Sequence, residues 1–369
     1  MDVAGRGRRR FLIVGNYPSS LDDSRGKHFQ DDAGGLLRST LARNEVNLDK
    51  DCWKTNALIC RPTKATPYKT EMIDHCRPNL VKTIQTLQPE VIIPIGTDAV
   101  KSVLRYVYKE DDIGDIFRWA GYRIPCQKIN TWITPILDPT YVLNSTKNPV
   151  PGIMFREQIA AAAQLEGRPW GDEAPDWKSE VELIMSPDDA AEAILWFMDK
   201  PLIAFDYETT TLKPEYEGAA ILCCSISNGV RTIAYPWVGE AVSATLTLLR
   251  SKRVEKIASN LKFEERWTRH VFDGRGVRRW KWDTMVAAHV IDNRPKTTSI
   301  KFQSFVHLGA ESYDDHIKPF LRVKGQKTNS AKKDINLPEL LVYNGLDSLL
   351  EYKVAEIQMS MIGDNSCPF

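Results

Sequence analysis

The sequence predicts an α/β protein of two domains, and three observations carry that expectation. Apolar strand-like runs alternate with helical segments through both halves of the chain. A non-periodic stretch of Pro, Gly and acids, RPWGDEAPDW at 168–177, interrupts the alternation. The chain has 369 residues, room for two domains at about 100–200 residues each. With 43% hydrophobic and 26% charged residues it has the apolar surface for two cores, which excludes disorder for most of its length.

In the first half, FLIVG (11–15) reads as a strand and the LLRSTL segment as part of a helix. TNALIC (55–60), EVIIPIG (90–96) and WITPIL (132–137) are further strands, with a helix around Met72–Leu87 between the first two. This order predicts a mostly parallel sheet covered by helices. The Ala-rich helix FREQIAAAAQLEG (155–167) closes the domain at Gly167. The domains are placed at 10–167 and 181–369, with a linker over 168–180. The second opens on the strand VELIM, and Ser186 caps the helix SPDDAAEAILWFM. LIAFDYET (202–209) is a buried strand, and LPELLVYNGLDSLLEYKVAEIQM a closing helix. No repeat recurs at a period of 20–50 residues.

Lys plus Arg is 49 and Asp plus Glu 48, a formal net charge of +1. That balance excludes a histone-like protein binding nucleic acid by bulk charge, and leaves local patches open. No apolar run approaches the roughly 18 residues of a membrane span. The N-terminus MDVAGRGRRR leads into a strand without a small-residue cleavage site, so no signal peptide is expected. Seven cysteines, an odd number without a close CxxC pair, read as free thiols of a reducing compartment, the cytoplasm.

The strongest chemical signal is Asp206-Tyr207-Glu208 at the end of an apolar strand. Residues i and i+2 of a strand share a face, so two carboxylates project together, and they need a cation between them or a proton on one. In IASNLKFEERW, Asn260 and Glu264 sit at a strand-to-helix transition. In YNGLDSLLEYKV, Tyr343 and Asp347 are four residues apart on one helix face. A buried helix rarely places an acid one turn from a tyrosine on its apolar side without a use for it.

The order DxE, NxKFE, YxxxD resembles the three motifs of the DEDDy 3′–5′ exonucleases, the proofreading domain of family-A DNA polymerases. Trp282-Asp283-Thr284-Met285 and SIKFQSFVHLGAESYDDHIKP are similar to the phage-type members, so the resemblance covers about residues 180–360. It implies an RNase H-like (DnaQ-like) domain with a mixed sheet. It also implies Asp206, Glu208 and Asp347 as metal ligands, Glu264 as the fourth acid and Tyr343 orienting the attacking water. Four acids hold two divalent ions about 3.5–4 Å apart, and hard oxygen ligands favour Mg²⁺ or Mn²⁺ over zinc. The family usually has Asp where Glu264 stands, one methylene shorter.

Basic residues supply a track for nucleic acid. From Arg250 to Asp283 there are eleven Lys/Arg against five Asp/Glu, and from His316 to Lys333 six Lys/Arg and no acid. Beside such a site, contact with single-stranded backbone phosphates is expected. Asn260, Lys262, Lys318, Arg322 and Lys324 are the candidate DNA contacts.

The first half carries a second resemblance. IVGNYPSS, GKHFQDDAGGLL, TNALICRP, HCRPNL, VIIPIG and ILDPTYVL follow the motif order of family-4 uracil-DNA glycosylases over residues 10–165. This implies a parallel-sheet α/β/α domain with a base pocket at the carboxyl ends of its strands. Phe29 matches the aromatic that stacks on a flipped base, and Asn56 the amide that reads its edge. Asn16 stands where the family has its water-positioning acid, and Asp138 where it has a histidine. An ionised Asp138 would repel the anionic base that glycosidic cleavage leaves. Cys60 and Cys76 match two ligands of the family's iron–sulfur cluster, but the N-terminal CxxC is missing. Cys52 and Cys126 are the available substitutes, and no cluster is expected.

The leading expectation is therefore a phage-like 3′–5′ exonuclease on single-stranded 3′ ends of DNA, with a degenerate glycosylase-like domain. A phage-encoded chain would act in the host cytoplasm. The alternatives are a catalytically weak DNA-binding accessory module of a DNA polymerase, or an active uracil-DNA glycosylase. The chain stops about twenty residues after Asp347, without polymerase palm or fingers. Proofreading would then need a separate polymerase subunit, or the chain is a fragment of a longer polymerase.

Overall fold

The computed structural model describes residues 1–108, 112–321 and 334–363. It divides into two units: Met1–Pro175 with Phe305–Glu311, and Asp176–Ser304 with the residues from Ser312 onward. No described helix is long and apolar enough to cross a membrane.

The first unit is built on five strands, β1 (Phe11–Gly15), β2 (Cys52–Asn56), β3 (Val91–Pro94), β4 (Ile124–Cys126) and β5 (Thr131–Ile133), in the order β2-β1-β3-β5-β4. β1 pairs in parallel with β2 and β3, and β3 with β5. Phe11, Leu12, Ile13 and Val14 are all buried, as a strand covered on both faces requires. The sheet is mostly parallel, as expected, with one antiparallel edge where β4 runs against β5. Only residues 127–130 join them, and so short a link permits no parallel crossover. The strand expected at 55–60 instead spans Cys52–Asn56. Lys54 concealed its start, because this lysine is a buried strand residue whose ammonium pairs with Asp49. The Ala-rich helix runs Val150–Ala163, beginning earlier than expected with Pro151 in its first turn, where a missing N–H costs nothing.

Among its described residues the second unit has six strands, β6 (Val181–Leu183), β7 (Leu202–Thr209), β8 (Ile221–Ser227), β9 (Thr232–Pro236), β10 (Glu255–Ala258) and β11 (Trp280–Asp283), ordered β11-β10-β7-β8-β9-β6. β7, β8 and β9 form an antiparallel meander, while β10 is parallel to β7, β11 to β10 and β6 to β9. The sheet is mixed, as expected. Ser186 caps the helix Pro187–Leu195, its side chain accepting from Asp189 N at 3.3 Å.

The helix Leu337–Ile362 packs on β7, β8 and β9. Gly345 allows a close approach to β6, since a Cβ there would sit 2.3 Å from Val181 Cγ1. Ser225 Oγ of β8 donates to the Asn344 carbonyl at 2.7 Å. The buried face of this helix is not uniformly apolar: Asn344, Asp347, Ser348, Glu351 and Gln358 are all buried. Each such group must find a partner or carry a function.

Candidate nuclease centre and base pocket

β7 is a central strand, so its carboxyl end lies between β8 and β10. The alternation of the strand puts Asp206 and Glu208 on one face, and the helix Leu337–Ile362 brings Asp347 to them. One carboxylate oxygen from each of the three lies within 4.8 Å of the others. Asp206 is half-buried, while Glu208 and Asp347 are buried.

The acids are held from several sides. Asn344 Nδ2 donates to Asp206 Oδ2 at 2.6 Å. Tyr313 Oη donates to Asp347 Oδ1. Tyr343 Oη accepts from Lys301 Nζ at 2.6 Å, and Lys301 also pairs with Asp314 at 3.6 Å. Burial pushes the Asp347 carboxyl up; Lys301 and hydrogen bonds from Tyr313 and Tyr343 oppose that, and Glu208 adds to it. The Tyr343 phenol is pushed well above its ordinary value by burial and then by Asp347 and Glu208, so it keeps its proton.

Glu264 is buried in the first turn of the helix Lys262–Val271 and stands outside the three-acid group. Its Oε2 has no hydrogen-bond partner among the described residues. Burial, with the charges of Asp283 and Glu208, raises its carboxyl well above the ordinary range. The turn before this helix is fixed by Asp283, whose carboxylate accepts from the backbone N–H of Asn260 (3.0 Å), Leu261 (3.0 Å), Met285 (3.0 Å) and Val286 (3.2 Å). Asn260 turns the chain in the left-handed region at φ 63, a conformation asparagine tolerates better than most residues.

Asn260 and Lys262 are exposed beside that turn. Arg322 and Lys324, and the side chain of Lys318, lie outside the described residues. Much of the basic run at 250–283 is engaged within the unit. Arg266 pairs with Glu215, Arg269 with Glu265 and Arg279 with Glu255. Lys256 is fully buried and donates to the carbonyls of Ser251 and Val254, both at 2.8 Å.

In the first unit Asn16, Asn56 and Asp138 sit at or beyond the carboxyl ends of β1, β2 and β5, while Phe29 lies in the loop between the helices Ser20–Arg25 and Asp32–Ala42. Asn16 follows β1. Its Oδ1 accepts from Asp98 N and Ala99 N, at 3.0 and 3.1 Å, at the start of the helix Thr97–Val107. Its Nδ2 donates to Asp138 Oδ2 at 2.8 Å, and Asp138 Oδ1 caps the helix Pro139–Asn144 through Thr140 N. Gly96 (φ 84) lets this cluster close, since a Cβ there would lie 2.6 Å from Asn16 Nδ2.

Asn56 ends β2, and Phe29 is half-buried nearby. A Cβ on Gly15 would meet Asn56 Oδ1 at 2.4 Å and the Phe29 ring at 3.1 Å, so Gly15 leaves space between amide and ring. His28 fixes the amide. Burial lowers its imidazole below the ordinary value, so the ring is neutral. It donates from Nε2 to the Asp2 carbonyl (2.8 Å) and accepts at Nδ1 from Asn56 Nδ2 (3.2 Å). Among the cysteines, Cys60 is exposed and Cys76 half-buried. Cys52 and Cys126 are buried strand residues whose thiols burial pushes up to about 12.

Sequence reasoning did not single out His28, Lys301, Tyr313, Asn344 or Glu351. Lys301 and Tyr313 belong to the stretch that resembles phage-type exonucleases, and Glu351 lies four residues after Asp347, at the spacing that linked Asp347 to Tyr343. His28 and Asn344 carry no periodic signal. Their roles come from what they touch.

Residues 4–164 match the family model of the uracil DNA glycosylase superfamily. A type-4 uracil-DNA glycosylase of Pyrobaculum aerophilum is 31% identical over 117 residues, which cover 31% of this chain and 59% of that protein. A DNA polymerase of Bacillus phage SP01 is 22% identical over 357 residues, 85% of this chain and 36% of the polymerase. The chain thus spans well under two thirds of either relative. Among solved structures, the catalytic core of RRP6 from Trypanosoma brucei overlaps with a TM-score of 0.38 at 16% identity, over 50% of this chain and 48% of that one. At that overlap the nuclease reading rests on the acids' own geometry. The chain carries a uracil DNA glycosylase superfamily domain at its N-terminal end and, across both units, is similar to a phage DNA polymerase.

Proposed function

We propose that this chain is a 3′–5′ exonuclease that hydrolyses DNA from single-stranded 3′ ends, as a proofreading activity of phage replication. The observation that carries the reading is the convergence of Asp206, Glu208 and Asp347 within 4.8 Å, with Tyr343 one turn before Asp347. Three carboxylates so close, in a setting that raises the Asp347 carboxyl, fit a hard divalent cation such as Mg²⁺ or Mn²⁺. Two such ions, when bound, would supply an activated water and charge for the leaving 3′ oxygen. The chain's own residues do the positioning. Asn344 fixes Asp206, Tyr313 fixes Asp347, and the protonated Tyr343 hydroxyl, held by Lys301, is placed to orient the water. Asn260 and Lys262 face the backbone phosphates. Asp206→Ala and Glu208→Ala should each lower Mg²⁺-dependent release of nucleotides from a single-stranded 3′ end by about a hundredfold or more. A wild-type protein that releases none would sink the reading.

The N-terminal domain, bounded by a linker at 168–180, serves DNA or base binding in this proposal. Asn16 is not free to position a water, because both ends of its amide are committed. Asp138 puts a carboxylate where a departing base anion would need a donor. Incubation with a uracil-containing oligonucleotide should leave no abasic sites, and the purified protein should lack iron and 400 nm absorbance.

A binding-only accessory role in a polymerase assembly is the second reading, favoured by Glu264 in place of the usual Asp. It predicts tight single-stranded binding without metal-dependent turnover. In either case the partner polymerase is a separate subunit or the rest of a longer chain.

A further inference from the structure

A cleft of about 640 Å³ opens in the first unit. Its walls include Gln88 just before β3, Lys128 and Asn130 just before β5, Tyr106 near the end of the helix Thr97–Val107, and Arg168. Residues that lead into parallel strands lie at the amino end of a sheet, so this cleft is across the sheet from Asn16, Asn56 and Asp138. Two cations meet there, each held by neutral groups. Lys128 Nζ donates to the Tyr106 carbonyl at 2.5 Å and lies 4.7 Å from the centre of the Tyr106 ring. Arg168 Nη1 and Nη2 donate to the carbonyls of Asn130 (2.9 Å) and Gln88 (3.4 Å). Among the described residues no carboxylate pairs with either cation, and Asp172, the acid among the lining residues, is exposed.

The backbone of the cleft is bent against preference. Gln88 (φ 45) and Asn130 (φ 46) are both left-handed, a region that Gly and then Asn enter at least cost. Gln88 ends the helix Glu71–Leu87 where Gly is usual. Its side-chain amide is exposed and makes no hydrogen bond among the described residues. A strained residue with a long, unengaged amide on a cleft wall is the kind of outlier found at ligand sites. The Asn130 amide, by contrast, is committed. Its Nδ2 donates to the carbonyls of Trp170 (2.9 Å) and Gly171 (3.1 Å), and its Oδ1 accepts from Trp170 N (3.1 Å). Those bonds fasten the segment that carries Arg168 against the cleft.

We propose that this cleft binds a nucleotide, with Lys128 and Arg168 donating to its phosphate and the Gln88 amide meeting the edge of its base. An ammonium with donors to spare and a guanidinium oriented by two carbonyls suit phosphate oxygens. A side-chain amide offers both a donor and an acceptor to a base edge. The volume falls within the roughly 300–1,000 Å³ of small-ligand sites. A simple anion would use the cations and leave Gln88 without a role. The nucleotide comes either free in solution or as part of a strand, and the experiment separates the two. The site lies outside the nuclease centre and does not rest on the nuclease reading.

The test is calorimetric titration of the full chain with thymidine monophosphate and, separately, with a short oligothymidylate, in EDTA so that no metal-dependent hydrolysis intervenes. Wild type should bind at least one of them. Lys128→Ala and Arg168→Ala should each weaken that binding about tenfold. Gln88→Gly relieves the left-handed backbone, so it should melt no lower than wild type yet bind about threefold or more weakly. That variant keeps the test usable if Arg168→Ala loosens its segment. Lys147→Ala, at an exposed position of the same unit, should change nothing. A loss seen with the mononucleotide alone identifies a free nucleotide as the ligand, and a loss with the oligothymidylate identifies a strand; both support the site. Unchanged affinity for both ligands in Lys128→Ala and Arg168→Ala, or a wild type that binds neither, would overturn the inference.

Discussion

Asn56 shows how much one neighbour decides. An asparagine at a strand end can turn its amide either way, and the two orientations read opposite edges of a base. Here the neutral His28 ring accepts from Nδ2, which leaves Oδ1 toward Gly15 and Phe29. His28 is therefore a group whose proton affinity burial depresses in the folded state. Its contribution to stability is complete above the ordinary value of 6.5 and is lost as pH falls below it. His307, whose imidazole burial takes to about 4, acts in the same direction. The two histidines by themselves lower the melting temperature between about pH 7 and pH 5, while the raised Asp347 and Glu264 carboxyls act in the opposite sense. Relative to wild type, His28→Gln should lose less melting temperature on acidification; equal slopes for the two proteins would show that His28 does not titrate in this way. At the nuclease centre, Asn344→Ala should free the Asp206 carboxylate. We expect about a tenfold or greater loss of nucleotide release for about 1 kcal/mol of stability, read from kinetics and urea unfolding.

Among the elements, the β10-to-helix turn and the helix Leu337–Ile362 carry the site. Asp283 accepts from four backbone N–H groups that would otherwise be orphans of a turn and a helix start. Asp283→Ala should cost about 2 kcal/mol and lower activity through a displaced Glu264, measurable by chemical denaturation and by turnover. Gly345 sets two effects against each other. Alanine in a helix interior is favoured over glycine by about 1 kcal/mol. A Cβ at 345 would, however, lie 2.3 Å from Val181 Cγ1, and overpacking of that kind costs about 1–3 kcal/mol. Gly345→Ala should therefore destabilise the chain, and a raised unfolding midpoint would contradict the close packing on β6. The helix itself was legible from its apolar spacing and from Tyr343 and Asp347. Its role as carrier of Asn344 and Glu351 was not, because a polar residue on a buried face looks the same in sequence whether it is capped, paired or ligating.

On the scale of the molecule, a net charge of +1 conceals local asymmetry. Acids gather at one centre, and several arginines of the basic run are spent on internal ion pairs. Phosphate binding then falls to fewer residues than the run contains. Single-stranded DNA binding should weaken as salt rises, and Lys262→Ala should reduce the log–log salt slope by about one phosphate contact; an unchanged slope would remove Lys262 from the track. The sequence by itself determined two α/β halves, the main strands of the first, the DxE pair and the four-residue spacing of Tyr343 and Asp347; that Asp347 partners the DxE pair was what the resemblance to DEDDy exonucleases implied. Those features are local, written in apolar runs and in spacings of two and four residues. Only the tertiary structure decided that β4 turns antiparallel, that Asn16 and Asp138 lock each other, and that Glu264 and Glu351 each bury a carboxylate oxygen without a hydrogen-bond partner among the described residues. Each of these depends on groups far apart in the chain. Hydrogen bonds and burial act through space, so no window of sequence contains them.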